Sequence, residues 1–136
     1  MMVLIDTCVW SASLRRSRDA RSPLVHEVEN LVSHGHAVML GLVRQELLSG
    51  IKSSAQYEHL RESLRAFPDV DIETEDHELA AAFFNRCRTK GIHGSAIDYL
   101  LAAVASRRDL PIFTTDADFT RYAKVLGLTL HELRRR

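Results

Sequence analysis

The sequence predicts an α/β protein in which helices pack around a mostly parallel sheet. Three observations predict this class: short continuous apolar runs, helically spaced apolar residues between them, and turn residues where one pattern replaces the other. Short continuous apolar runs are typical of parallel strands that are covered on both faces. With 136 residues, of which 46% are hydrophobic, the chain can bury a core, and we expect one domain over 1–136.

The first half of the chain alternates the two patterns. A Ser22–Pro23 pair provides an N-cap and a first-turn proline, which together predict the start of a helix. Pro68 interrupts the last helical pattern of this half. The predicted order is strand 2–5, helix 22–34, strand 37–40, helix 42–50 and helix 53–67.

The second half continues in the same way. The pattern over 75–88 has acidic residues early and basic residues late, as the helix dipole favours. Gly127 is placed to end the last helix. The predicted order is strand 70–72, helix 75–88, helix 95–108, strand 112–113, helix 117–126 and strand 128–130.

Composition narrows the classes of function. Lys and Arg together number 18, as do Asp and Glu, so the chain as a whole is not strongly basic, as many nucleic-acid binders are. Cys8 and Cys87 form no C-x-x-C unit, which indicates a reduced, intracellular protein. The apolar start contains Asp6 and is too short for a signal peptide, and no stretch approaches the roughly 18 apolar residues of a membrane span. We therefore expect a cytoplasmic protein with no membrane contact.

Four acidic residues stand where ligands bind in α/β proteins or where a carboxylate is unusual. Asp6 and Asp116 each follow a predicted strand, and open parallel sheets bind ligands at the carboxyl ends of their strands. Glu46 shares an apolar helical face, and Asp98 lies near the start of an apolar helix. A buried carboxylate is costly unless it is paired or bound to a metal. Their convergence would favour Mg²⁺ or Mn²⁺, which prefer hard oxygen ligands and can assist attack on a phosphate.

Each acid also has a purely structural interpretation. Asp6 suits a turn after a strand, and Glu46 could extend into solvent at the edge of its helix. Asp98 could cap its helix, with Ser95 as the competing cap, and Asp116 falls in a helix-opening turn. The seven histidines form no H-E-x-x-H pair, and the sequence has neither a phosphate-binding P-loop nor a dinucleotide-binding glycine motif. The acids alone therefore predict a site without naming a reaction.

Four segments together resemble the motifs of PIN-domain nucleases. They read DTCVW at 6–10, VRQELLSG at 43–50, SAIDYLLAAVA at 95–105 and FTTDADF at 113–119. Their order and spacing, and the length of the chain, resemble those of VapC-type toxins. The resemblance implies a PIN-like three-layer α/β/α sandwich and an endoribonuclease that hydrolyses RNA phosphodiester bonds with Mg²⁺ or Mn²⁺. It also implies a VapB-type antitoxin as partner and a homodimer.

The resemblance assigns roles to particular residues. Asp118 matches the second acid of the last motif and would bind metal directly or through water, while Thr114 matches a hydroxyl residue that supports the cluster. Cys8 stands where Ser or Asn is frequent, and we expect a small buried residue rather than a nucleophile. The acidic quartet, expected to be both catalytic and metal-binding, is Asp6, Glu46, Asp98 and Asp116.

RNA would also need a binding surface. A basic run follows the first motif and could contact phosphates near Asp6, and the alternative interpretation is a solvated loop. Trp10 could stack on a base, or lie in the core or a dimer interface. The basic run consists of Arg15, Arg16, Arg18 and Arg21.

Other classes of protein fit less well. A phosphatase of the haloacid-dehalogenase type needs a second acid where Cys8 stands, and a receiver domain needs a late lysine where only Lys124 occurs, on a helix face. A flap-type nuclease usually has a longer chain with more acids. The alternative that stays open is a non-catalytic PIN-like module that binds RNA or protein.

Overall fold

The computed structural model describes residues 1–15 and 22–133, and within these ranges the chain forms three strands and seven helices. The strands are β1 (Val3–Ile5), β2 (Ala37–Val38) and β3 (Ile112–Phe113). The helices are α1 (Thr7–Arg15), α2 (Pro23–Ser33), α3 (Gly41–Leu48), α4 (Ser54–Leu64), α5 (Thr74–Thr89), α6 (Ala96–Arg108) and α7 (Asp118–Leu126).

The described strands form one parallel sheet in the order β2-β1-β3. Leu4 of β1 pairs with Val38 on one side and with Ile112 on the other, so β1 is central. All three residues of β1 are fully buried, as expected for a strand covered by helices on both faces. The predicted α/β/α sandwich with a parallel sheet is confirmed.

Helix α6 forms the centre of the hydrophobic core. Its residues 99–105 are all buried, and a helix that is apolar all round belongs inside a protein. Helix α5 packs along α6 and also contacts α7, while α1 packs against α2 and α3. Within the described part of the chain, no helix has the length and apolar character needed to cross a bilayer.

A buried ion cluster joins α5 to the end of α6. The Asp76 side chain is fully buried and lies 2.9 Å from Arg107 Nη1 and 2.8 Å from Arg108 Nη1. Asp76 Oδ2 also accepts a hydrogen bond of 2.8 Å from the backbone N–H of Glu73, which closes a capping box at the start of α5. These contacts hold the pKa of the Asp76 carboxyl well below its usual range, with the Arg108 hydrogen bond as the largest cause, although burial opposes the shift.

Helix α1 was not among the predicted elements. Its sequence contains β-branched and aromatic residues, which form helices weakly on their own. Tertiary burial stabilises it instead, because Val9 and Trp10 lie in the core and the Trp10 ring packs 5.1 Å from that of Phe67. Of the alternatives for Trp10, the structure places it in the core.

Some predicted elements are shorter than expected or are not formed. The strand predicted over 37–40 covers only Ala37–Val38. Helix α4 ends at Leu64 instead of continuing to Phe67. Residues 70–72 form no strand, and an isolated bridge joins Met39 to Asp69 just before them. Residues 128–130 contribute only a bridge from Leu130 to Ile112. Val70, Leu128 and Leu130 pack against the core without the continuous pairing that defines a strand, while Ile72 is exposed.

Candidate active site

The predicted acidic quartet lines a single cleft at the carboxyl edge of the sheet. Asp6 follows β1 directly and Asp116 lies three residues after β3, and both strands end at the same edge. Glu46 from α3 and Asp98 from α6 complete the wall of this cleft, whose volume is about 320 Å³. The structure therefore brings together acids that are up to 110 residues apart in the chain.

Asp6 is the most buried of the four acids, with 8% of its surface exposed. Its Oδ1 accepts a hydrogen bond of 2.8 Å from the backbone N–H of Thr7, so Asp6 also stands at the N-terminus of α1. Its Oδ2 accepts one of 2.8 Å from the Thr114 hydroxyl. That hydroxyl in turn accepts from the backbone N–H of Asp116 at 3.0 Å. Thr114 thus connects two of the acids, as a supporting residue would.

Asp98 is half-buried and belongs to a capping box. Ser95 is the N-cap of α6, and its hydroxyl accepts from the Asp98 backbone N–H at 3.1 Å, while Asp98 Oδ2 accepts from the Ser95 N–H at 3.4 Å. The Tyr122 hydroxyl donates to the same Oδ2 at 3.2 Å. Burial raises the pKa of the Asp98 carboxyl and the negative charge of Asp6 adds to the rise, although the Ser95 and Tyr122 hydrogen bonds oppose it. A positive charge between Asp6 and Asp98 would therefore be stabilised.

Glu46 is exposed, so the prediction that it lies on a buried face is wrong. Helix α3 has eight residues and buries only Val43 fully, which leaves Glu46 at the rim of the cleft. The Thr7 hydroxyl donates to Glu46 Oε1 at 2.8 Å, which links α1 to α3 across the cleft.

The last motif places its two acids differently. Asp116 is exposed, lines the cleft, and accepts a hydrogen bond of 2.9 Å from the Asp118 backbone N–H. Asp118 does not line the cleft, and its carboxylate pairs with Arg121 on the surface of α7.

Cys8 is only half-buried, contrary to expectation, and its thiol faces the cleft. Its Sγ lies 3.5 Å from Asp6 Oδ2 and 3.3 Å from the Thr115 hydroxyl. The residue therefore fills the space between the start of α1 and the loop that carries Asp116.

A family model for the PIN domain matches residues 3–125 of this chain. The chain belongs to the PIN domain family. The matched segment includes all four predicted motifs, so the family resemblance seen in the sequence is confirmed.

Known relatives of this PIN domain resemble it over nearly their full length. It is 29% identical over 131 residues to VapC ribonuclease Mb1587 of Mycobacterium bovis and equally to Ribonuclease VapC11 of Mycobacterium tuberculosis, covering 93% of this chain and 96% of each relative. Among solved structures, FitAcB from Neisseria gonorrhoeae gives a TM-score of 0.74 at 20% identity, covering 96% of this chain and 97% of that one. VapBC2 from Rickettsia felis, bound to a DNA fragment from its promoter, gives 0.73 at 17% identity, covering 96% and 98%.

The donor chemistry of the PIN-domain cleft suits a hard divalent cation. Its acids offer carboxylate oxygens, and two of them, Glu46 and Asp116, are open to water, which Mg²⁺ retains when it binds. Within residues 1–15 and 22–133, no three His, Cys, Asp or Glu side chains form a ready-made metal site. Side-chain rotation at the exposed acids would be needed to bring three ligands to one ion.

A second cavity, of about 460 Å³, is larger but chemically different. It lies between α5 and α6, and its lining is mainly apolar and contains no carboxylate. The smaller cleft is therefore the candidate site, because it alone of the two offers the carboxylate oxygens that a hard divalent cation prefers.

The predicted RNA contacts are only partly described. Arg15 is exposed on the last turn of α1, and its Nη1 donates to the Ser11 hydroxyl at 2.8 Å. Ser11 lines the acidic cleft, so Arg15 lies close to it. Arg16, Arg18 and Arg21 lie outside the described residues.

Sequence reasoning gave no role to Thr7 or Tyr122. Thr7 belongs to the first motif and follows Asp6 directly, so the sequence could have indicated that Thr7 lies in the site. Tyr122 lies 24 residues from Asp98, and its place on an apolar helical face is typical of a core residue. Only the folded structure reveals its contact with the acid.

Gly94 allows the close approach of Tyr122, and we expect Gly94→Ala to lower the free energy of unfolding by about 2 kcal/mol. An added Cβ would lie 2.5 Å from the Tyr122 hydroxyl oxygen and 3.1 Å from Tyr99 Cζ, and both tyrosines are buried. Gly41→Ala is the matched control, since its Cβ would meet Asp69 Oδ2 at an ordinary 3.6 Å. Urea unfolding measures both variants, and equal stability of the two would contradict the prediction.

Proposed function

We propose that this PIN domain is a metal-dependent endoribonuclease that hydrolyses RNA phosphodiester bonds and acts as the toxin of a VapBC-type pair. The observation that carries the proposal is the meeting of four carboxylates in one cleft, on a chain whose curated relatives are named ribonucleases. We assign catalysis and metal binding to Asp6, Glu46, Asp98 and Asp116.

The hydrogen bonds of the cleft suggest how these residues divide the work. The Thr7 N–H and the Thr114 hydroxyl hold the Asp6 carboxylate in place, and Asp6 would be the innermost ligand. Asp98 and Asp116 would bind the same ion, while Glu46 completes the cluster directly or through water. Mg²⁺ or Mn²⁺, when bound, would supply water activation and neutralise charge at the phosphate.

Outside the cluster, we assign lesser roles. Arg15, with Arg16 and Arg18, would hold the RNA strand through its phosphates. Asp118 is a weaker candidate ligand than the quartet, since its carboxylate pairs with Arg121 away from the cleft.

We also infer a VapB-type antitoxin partner, a homodimer, and a cytoplasmic place of action. Support for the antitoxin comes from the similarity of this fold to solved VapBC structures, among them DNA-bound VapBC from Salmonella typhimurium, with a TM-score of 0.74 at 18% identity. That chain is covered completely and this one to 98%.

Metal removal tests the proposed activity. Purified, antitoxin-free protein is incubated with total RNA in Mg²⁺ or Mn²⁺, then with EDTA, and finally with the metal restored. We expect discrete fragments that disappear with EDTA and return with the metal, because an anionic cluster without a cation cannot neutralise the charge that develops at the phosphate. A folded protein that cleaves none of several RNAs in either metal would instead favour the non-catalytic binding module.

A further inference from the structure

We propose that Tyr122 is a positioning residue that orients Asp98 toward a metal ion, an inference that rests on the proposed function. Tyr122 lies on α7, outside the lining of the cleft, and is 1% exposed. Its hydroxyl donates to Asp98 Oδ2 at 3.2 Å, so it reaches the acid from behind the site.

The Tyr122 ring is held so that its hydroxyl cannot move aside. The Phe119 ring packs edge-on at 5.0 Å and the Tyr99 ring lies at 5.5 Å. On the open side Gly94 contributes no side chain, and a Cβ there would lie 2.5 Å from the hydroxyl oxygen. The position of the donor is therefore fixed by packing.

This donor determines which oxygen of Asp98 is available. The Ser95 N–H and the Tyr122 hydroxyl both donate hydrogen bonds to Asp98 Oδ2, whereas nothing in the described part of the chain donates to Oδ1. The carboxylate is thus fixed through one oxygen and keeps the other for a ligand. Partners that orient a ligating carboxylate in this way typically change metal affinity or activity 10- to 100-fold when removed.

Helix α7 gives the contact a second consequence. Asp116 stands just before this helix and accepts a hydrogen bond from its first N–H, that of Asp118. The same helix therefore supports Asp116 at its start and Asp98 one turn further on. Through its contact with Asp98, Tyr122 helps to fix the position of that acid relative to Asp116.

The test compares two tyrosine variants. Tyr122→Phe keeps the ring and removes only the hydroxyl that contacts Asp98. Tyr99→Phe is the control, because Tyr99 is equally buried but its hydroxyl donates to no acid of the cleft within residues 1–15 and 22–133. Mn²⁺ binding to the metal-free protein is measured by titration calorimetry, RNA cleavage is measured in parallel, and circular dichroism checks the fold.

We expect Tyr122→Phe to bind Mn²⁺ about 10-fold more weakly while remaining folded, and Tyr99→Phe to match the wild type. Saturating Mn²⁺ should restore most of the Tyr122→Phe cleavage, which a general packing defect would not allow.

Equal Mn²⁺ affinity in Tyr122→Phe and wild type would overturn this inference alone, as would an equal loss in both variants. Wild-type protein that binds Mn²⁺ without cutting RNA would overturn the nuclease proposal and leave this comparison intact. Wild type that binds no Mn²⁺ would overturn both.

Discussion

Asp6→Asn is expected to lower the rate of RNA cleavage by at least about 100-fold while the protein stays folded. Asp6 is the innermost acid of the cleft, and two hydrogen bonds of 2.8 Å fix both of its oxygens. Asn keeps the shape and an acceptor for the Thr7 N–H, but it removes the charge that would bind the cation. It also relieves the repulsion of Asp98, so the free energy of unfolding should not fall.

The measurement is single-turnover cleavage of a labelled RNA at saturating Mn²⁺, with urea unfolding in parallel. Asp71→Asn is the matched control, since it removes the same charge from an exposed carboxylate that does not line the cleft. A fully active Asp6→Asn would show that the quartet is wrongly assigned.

The second large effect concerns stability. Asp76→Asn is expected to lower the free energy of unfolding at pH 7 by about 3 kcal/mol, because it removes one partner of a buried ion cluster. The Asp76 side chain is fully buried, whereas those of Arg107 and Arg108 keep 29% and 23% exposure. Water can therefore reach the two arginines after the change, which limits the loss.

The pH dependence of this contribution has a definite sign. The folded-state pKa of Asp76 lies well below its unfolded value of about 3.9, so the contribution is complete above that pH. It is lost as the pH falls below about 4 toward the lower, folded-state pKa. Wild type and Asp76→Asn should therefore become more alike in stability as the solution is acidified.

Glu73→Gln provides the control within the same cluster. Glu73 is 59% exposed and its contacts are longer, at 3.4 Å to Arg107 and 3.8 Å to Arg108, so the loss should stay below about 1 kcal/mol. Urea unfolding of the three proteins between pH 3 and pH 7 measures the differences. A constant gap between wild type and Asp76→Asn across that range would refute the ion-pair explanation.

The sequence pattern correctly predicted those helices and helix ends that are stabilised by their own residues, such as caps and turn glycines. Helix α2 begins after Ser22 as its cap and proline indicate, and Gly127 ends α7 in the left-handed conformation that favours glycine. Helix α1 was missed because its stability comes from the burial of Val9 and Trp10, a tertiary effect with no local signal. Residues 128–130 have the composition of a strand, but pairing requires a neighbour, and only Leu130 finds one.

The candidate site shows the same difference between features that local sequence predicts and features that depend on tertiary contacts. Motifs and strand ends identified acids that do share a cleft, because parallel strands must end at one edge. Burial of Glu46 was predicted wrongly, since apolar neighbours in a short helix do not reveal how much of that helix the core covers. The contacts of Tyr122 with Asp98 and of Thr7 with Glu46 span 24 and 39 residues. No spacing rule in the sequence predicts contacts at such distances.

The order of the acids along the chain has a consequence for synthesis. The Thr114 hydroxyl that holds Asp6 is 108 residues downstream of it, and β3 must dock beside β1 before the two can meet. A growing polypeptide that has not yet reached Ile112 lacks this support, and it also lacks Asp116. The cleft can be assembled only after most of the chain has been translated, so an unfinished chain on a ribosome has no complete acidic cleft.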